Sequence, residues 1–160
     1  MAESVQGIQG GKEMLRSICA VLLFSFVMVT GYVWAGDYGT PAEAKAMLER
    51  AVAEIKKDKA KALEMFTKGE GGFKDRDLYP YCGGPDGKFT AHPKLVGQSL
   101  KDLKDKAGRP LGAEIYAKAP EGVISEMSYM WPRPNETEPV QKVVYFTKVG
   151  DQVCAVGYYK

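Results

Sequence analysis

The chain carries one histidine, His92, in 160 residues, and three cysteines, Cys19, Cys82 and Cys154. That scarcity excludes much chemistry. A zinc site needs three or four N, S or O ligands, and Cys82, His92 and Cys154 show none of the paired short spacings of structural zinc motifs. No C-x-x-C-H attaches a haem and no P-loop cradles a phosphate, so no cofactor is expected. His92 as the base of a Ser-His-Asp triad would need a nucleophile elbow, and no G-x-S-x-G is present. The chain does not read as an enzyme. An excess of charge is lacking too: 22 basic residues face 20 acidic ones, for a net charge of +2. That is too weak to imply nucleic acid or an anionic membrane surface as partner. There is no internal repeat and no low-complexity tract.

What is present begins at the N-terminus. Ile18 to Val29, "ICAVLLFSFVMV", is an apolar run without a charge. Lys12 and Arg16 precede it, and Val33 and Ala35 hold the small-residue positions before Gly36. This is the layout of a secretory signal peptide over residues 1–35, with Met14 as a second candidate start. A membrane helix normally needs about 20 apolar residues, and this run is shorter. The expected location is therefore periplasmic or secreted; the alternative is an uncleaved helix that anchors the protein to a membrane. Cys19 sits at the start of the apolar run, badly placed for a lipoprotein cysteine. Residues 36–160 then suit one domain with its own core.

Thr40-Pro41-Ala42-Glu43 opens a helix, with Thr as N-cap, Pro at the first position and Glu43 completing a capping box. Ala44, Met47, Leu48, Ala51, Val52 and Ile55 form one apolar stripe. The charged run Lys56 to Lys61 interrupts it, Leu63 and Phe66 resume it, and "KGEGG" ends it. The reading is a long helix broken near Asp58. "DLYPYC" (77–82) is strand-like, although Pro80 marks an edge or irregular strand. "GGPDG" turns the chain into "KFTAHP", making a hairpin. Short helical turns fill the stretch from Lys94 to Gly122. Strands follow at 123–132, 139–149 and 152–159, the last two joined by a tight Gly150-Asp151 turn. Helix, two strands, a helical excursion and three strands make an α+β domain with one antiparallel sheet.

The aromatic strand, the D-G turn, "AHP" (91–93), "LVGQSL" (95–100), "D-x-x-G-x-P" (105–110), "Y-x-W-P" (129–132) and "K-V-x-Y" (142–145) occur in a specific order. With that order the chain resembles the single Cache domain of extracytoplasmic bacterial sensors, from Pro41 to Tyr159. The resemblance implies a PAS-like five-stranded antiparallel sheet, with a long N-terminal helix on one face and a ligand pocket on the other. It implies a small organic ligand, a short carboxylate or an amino acid, and a role in signal transduction. No second membrane helix or output domain follows in this sequence, so the expectation is a ligand-binding module whose partner is a membrane sensor protein. The alternative is a structural or interaction domain that keeps the fold without a pocket.

The resemblance also suggests where the ligand would sit. Tyr129 and Trp131 share one strand face, as do Tyr79 and Tyr81, and aromatic walls with a few polar groups are what small-ligand pockets use. Lys142, His92 and the tyrosine hydroxyls, Tyr145 included, could orient a carboxylate. Core packing is the competing reading for the aromatics, and alternation puts Lys142 and Tyr145 on opposite faces unless a bulge intervenes. Pro93 biases His92 to an extended conformation at the end of the second strand. There it is either a pocket residue that gains charge between pH 8 and 5 or a strand-end histidine bonded to backbone. The PAS-like strand order 2-1-5-4-3 would make the first and fifth strands neighbours, which could pair Cys82 with Cys154 in a disulfide. Two separate thiols are the alternative.

Overall fold

The computed structural model describes residues 37–160. The expected signal peptide, Met14 and Cys19 lie outside the described residues. Helix α1 (Pro41–Lys57) starts at a capping box in which the Glu43 amide donates to Thr40 Oγ1 and the Thr40 amide donates to Glu43 Oε2 at 2.7 Å. Asp58 ends α1, and its side chain caps α2 (Lys59–Lys68) by accepting the Lys61 amide at 3.1 Å. One aspartate thus breaks the predicted long helix in two without leaving the second N-terminus uncapped. Among the described residues no helix is long and apolar enough to cross a membrane.

Strands β1 (Pro80–Gly83), β2 (Phe89–Ala91), β3 (Ser125–Pro132), β4 (Pro139–Val149) and β5 (Gln152–Tyr159) form one antiparallel sheet in the order β2-β1-β5-β4-β3. Helix α3 (Leu111–Lys118) lies in the excursion between β2 and β3. Of the two alternatives for the Pro80 strand, the edge strand is corrected, because β1 lies between β2 and β5, and the irregular strand is the one observed. Pro80 is tolerated there because β2 pairs only with Cys82 and Gly83, so no partner on that side needs the missing N–H. The irregularity is a register shift between Cys82 and Gly83.

The sheet separates two cores. On one face Ala44, Met47, Leu48, Ala51 and Phe66 of the helices pack against Val143, Val156 and Tyr158. On the other face Val144, Phe146, Ala155 and Met127 are covered by Leu100, Leu111 and Ile115 of the excursion. Cys82 and Cys154 face each other across β1 and β5 on the helix side, fully buried and joined in a disulfide.

The bridge closes a sequence separation of 72 residues, so in the chain-entropy description it stabilises the fold by about 4 kcal/mol. Urea unfolding with and without reductant should therefore show a loss of that order. Equal midpoints, or two alkylatable thiols in the unreduced denatured monomer, would contradict it.

Candidate functional site

The face of the sheet away from the helices holds a row of polar side chains among aromatics. Lys142 pairs with Tyr129 on one side and Tyr159 on the other, so the three side chains line up across β3, β4 and β5. Lys142 is only 3% exposed. Its ammonium donates to the Tyr159 hydroxyl at 3.4 Å and lies 4.6 Å from the Tyr159 ring centroid and 5.3 Å from that of Tyr79. Gly157 makes this placement possible: a Cβ there would stand 2.5 Å from Lys142 Cε. Burial pushes the Lys142 amine down to about 8, an effect opposed by the negative charge of Asp77.

His92 stands at the end of β2 against Tyr79, Tyr81 and Phe89, with ring centroids 5.4, 6.3 and 5.1 Å away. Its Nδ1 accepts the Lys94 amide at 2.9 Å. The strand-end reading of His92 is the one the geometry gives, with the ring bonded to backbone on one edge, and the residue also lines a cavity. Burial pushes the imidazole down to about 4, and the charges of Lys142 and Lys94 push the same way. The expected gain of charge between pH 8 and 5 is corrected on that ground: His92 is neutral there, with its proton on Nε2. Burial likewise raises the Tyr81 and Tyr129 hydroxyls.

Two adjoining cavities lie over this row. The inner one holds about 30 Å³, with Tyr81, Tyr129, Trp131 and Lys142 as its floor and Leu95, Leu103 and Leu111 as its roof. The outer one, about 380 Å³, is lined by Lys74, Arg76, Lys94 and Arg133 together with Asp77 and Tyr159. Tyr79, His92, Leu95 and Trp131 belong to both and form the partition. Two buried side-chain atoms among the described residues lack a hydrogen-bond partner, Asp77 Oδ2 and Arg133 Nε, and both residues line the outer cavity.

Tyr79, Tyr81, His92, Tyr129, Trp131 and Lys142 are thus brought together. Tyr145 is not. The β3–β4 and β4–β5 registers advance one residue at a time through this region, with no bulge. Tyr145 therefore faces the helices, where it stacks on Tyr158 at 5.7 Å. The sequence reading missed Asp77, Arg133 and Tyr159. It also missed what "D-x-x-G-x-P" does. Asp105 Oδ1 accepts the amides of Ala107 and Arg109, both at 2.9 Å. Arg109 grips Glu114 through two bonds and donates to the Ser128 carbonyl at 2.8 Å. The motif fastens the roof to β3.

The profile of the Cache domain family matches residues 40–158. The chain belongs to this family. A solved structure titled "Periplasmic sensor domain of chemotaxis protein" is 23% identical, covering 72% of this chain and 86% of that one at a TM-score of 0.53. Another, titled "Structural basis for carboxylic acid recognition by a Cache chemosensory domain", is 21% identical, covering 72% and 84% at a TM-score of 0.51. Both show the Cache fold. No curated protein matches the chain.

The depressed Lys142 sets a stability profile. Between about pH 8 and the ordinary lysine value of 10.5 the unfolded chain binds more protons than the folded one, so stability rises with pH over that window. At 1.36 kcal/mol per unit the rise attributable to Lys142 is about 3 kcal/mol. Denaturation of wild type and Lys142→Met across this range should show the difference curve flattening in the variant, with Lys142→Met the more stable near pH 7. Parallel curves would mean that the ammonium is not desolvated.

Proposed function

We propose that residues 40–158 form an extracytoplasmic sensing module that binds a short carboxylate, with the Lys142 ammonium as its anchor. The observation that carries this is the burial of that ammonium without any carboxylate in hydrogen-bond contact. An uncompensated buried cation is costly, and an entering anion relieves the cost through charge-assisted hydrogen bonds. The neutral Nε2–H of His92 and the tyrosine hydroxyls supply further donors, and the aromatic walls take the apolar part of the ligand. A domain without a functional pocket gains nothing from this expense. Binding rather than catalysis is supported by the family match and by neighbours titled as sensory domains.

The inner cavity is far below the roughly 300 Å³ at which small-ligand sites begin, so entry requires the partition side chains to move and join it to the outer cavity. A second ligand class, amino acids, is favoured by Asp77. Its buried Oδ2 lacks a donor, and a ligand ammonium would provide one. The apolar run of residues 18–29 supports export. The reading places the output in a membrane sensor protein that takes up the ligand state.

A thermal-shift panel of short carboxylates and amino acids, followed by calorimetry, tests the reading, because a ligand that binds only the folded state raises its stability. Lys142→Ala should weaken the best carboxylate by about 1.5–3 kcal/mol, very roughly ten- to a hundredfold. Affinity should stay flat from pH 5 to 7, since His92 is neutral, and fall above about pH 8 as Lys142 loses its proton. No binder in the panel, or an affinity indifferent to Lys142, rejects the assignment.

Gly157 gives an independent check on the anchor. Gly157→Ala would push Lys142 Cε aside while adding one methyl group on the strand opposite Val144. Calorimetry should show it weakening the same carboxylate in the direction of Lys142→Ala. Undiminished affinity would mean that the ammonium need not lie over β5.

A further inference from the structure

Three side chains of the outer cavity also hold the segment that leads into α1. Asp77 Oδ1 accepts the Gly39 amide at 2.6 Å, and Arg76 Nη1 donates to the Tyr38 carbonyl at 2.9 Å. The Arg133 guanidinium lies 4.6 Å from the Tyr38 ring centroid. Gly39 packs closely here, since a Cβ there would run into the Leu78 side chain. Arg133 reaches the other flank of the domain as well. It stands 5.4 Å from the Tyr159 ring centroid, and Nη2 donates at 3.2 Å to the carbonyl of Lys160, which follows β5. The segment entering the domain and the segment leaving its last strand therefore meet around one guanidinium. The Nε of that guanidinium is buried and lacks a hydrogen-bond partner.

We propose that Arg133 couples occupancy of the outer cavity to both flanking segments, residues 38–40 and 159–160. A ligand acceptor atom that takes the unused Nε hydrogen makes a contact the empty state lacks, and only such a difference can shift a conformational equilibrium. The guanidinium cannot reorient toward the cavity without changing its stacking on Tyr38 and its bond to Lys160. Coupling of this kind is reciprocal, so the setting of either segment also feeds back on affinity. The proposal rests on the ligand-binding reading of the two cavities and adds to it a route by which occupancy leaves the site.

Hydrogen exchange of the full chain, with acetate, propionate and glycine as probes, tests it. With a probe that raises the melting temperature, peptides covering 37–44 and 157–160 should change exchange together, by about fivefold or more. In Arg133→Lys, saturated with the same probe, both responses should vanish, because lysine keeps the charge but has no Nε donor and no planar face. A raised melting temperature with neither segment responding overturns the coupling and leaves the binding reading standing; so does a response that survives in Arg133→Lys. If none of the probes raises the melting temperature, carboxylate and amino-acid binding is what fails, and the ligand-free Arg133→Ala variant tests the structural premise that Arg133 holds both segments. It should accelerate exchange in both segments at once, and acceleration in one or neither overturns the proposal.

Discussion

Carrying an ammonium group into the interior of a sheet costs several kcal/mol unless charge and hydrogen bonds compensate. Here the compensation for Lys142 is partial: one long bond to a tyrosine hydroxyl, two ring faces, and the more distant charge of Asp77. Much of the surrounding architecture serves this placement. Gly157 leaves the space the side chain crosses, Tyr129 and Tyr159 flank it on the neighbouring strands, and the leucines of the excursion close over it. The same charge bears on His92. Burial is the larger cause of the neutral imidazole, and the Lys142 charge reinforces it.

The two faces of the sheet divide the work. On the helix side the disulfide and a dry apolar core tie β1 to β5 and hold the long helices in place. On the cavity side the cover is made of turns and the short helix α3. It is held by a few polar knots, of which the Asp105–Arg109–Glu114 group is the most extensive.

Strong periodicity made some parts legible from sequence. The α1 stripe, the break at Asp58 and the long strands β4 and β5 follow from capping chemistry and alternation, which are local. The strand order and the pairing of Cys82 with Cys154 followed only from the family resemblance, since no local pattern reports contacts 72 residues apart. Tyr145 lies off the cavity because strand alternation, and not its place in the K-V-x-Y motif, sets its face, and the unbulged ladder puts it on the helix side. Asp77 and Arg133 were invisible for a different reason. Both stand in polar stretches, "KDRD" and "PRPNE", that read as solvated loops. Asp77 is buried and Arg133 partly so, through contacts with Gly39, Tyr38 and Lys160, all distant in sequence.

Those two residues also show where the strain of the site resides. A carboxylate oxygen without a donor and a guanidinium nitrogen without an acceptor line the same cavity, and each unsatisfied group costs about 1–3 kcal/mol. They do not satisfy each other, because each is held elsewhere. Asp77 is bound to the Gly39 amide, and Arg133 is spread between the Tyr38 ring and the Lys160 carbonyl. The segments flanking the domain thus keep two polar atoms open inside it. A ligand that fills those valences recovers free energy already invested in the fold, and it does so at the atoms through which the flanks are held.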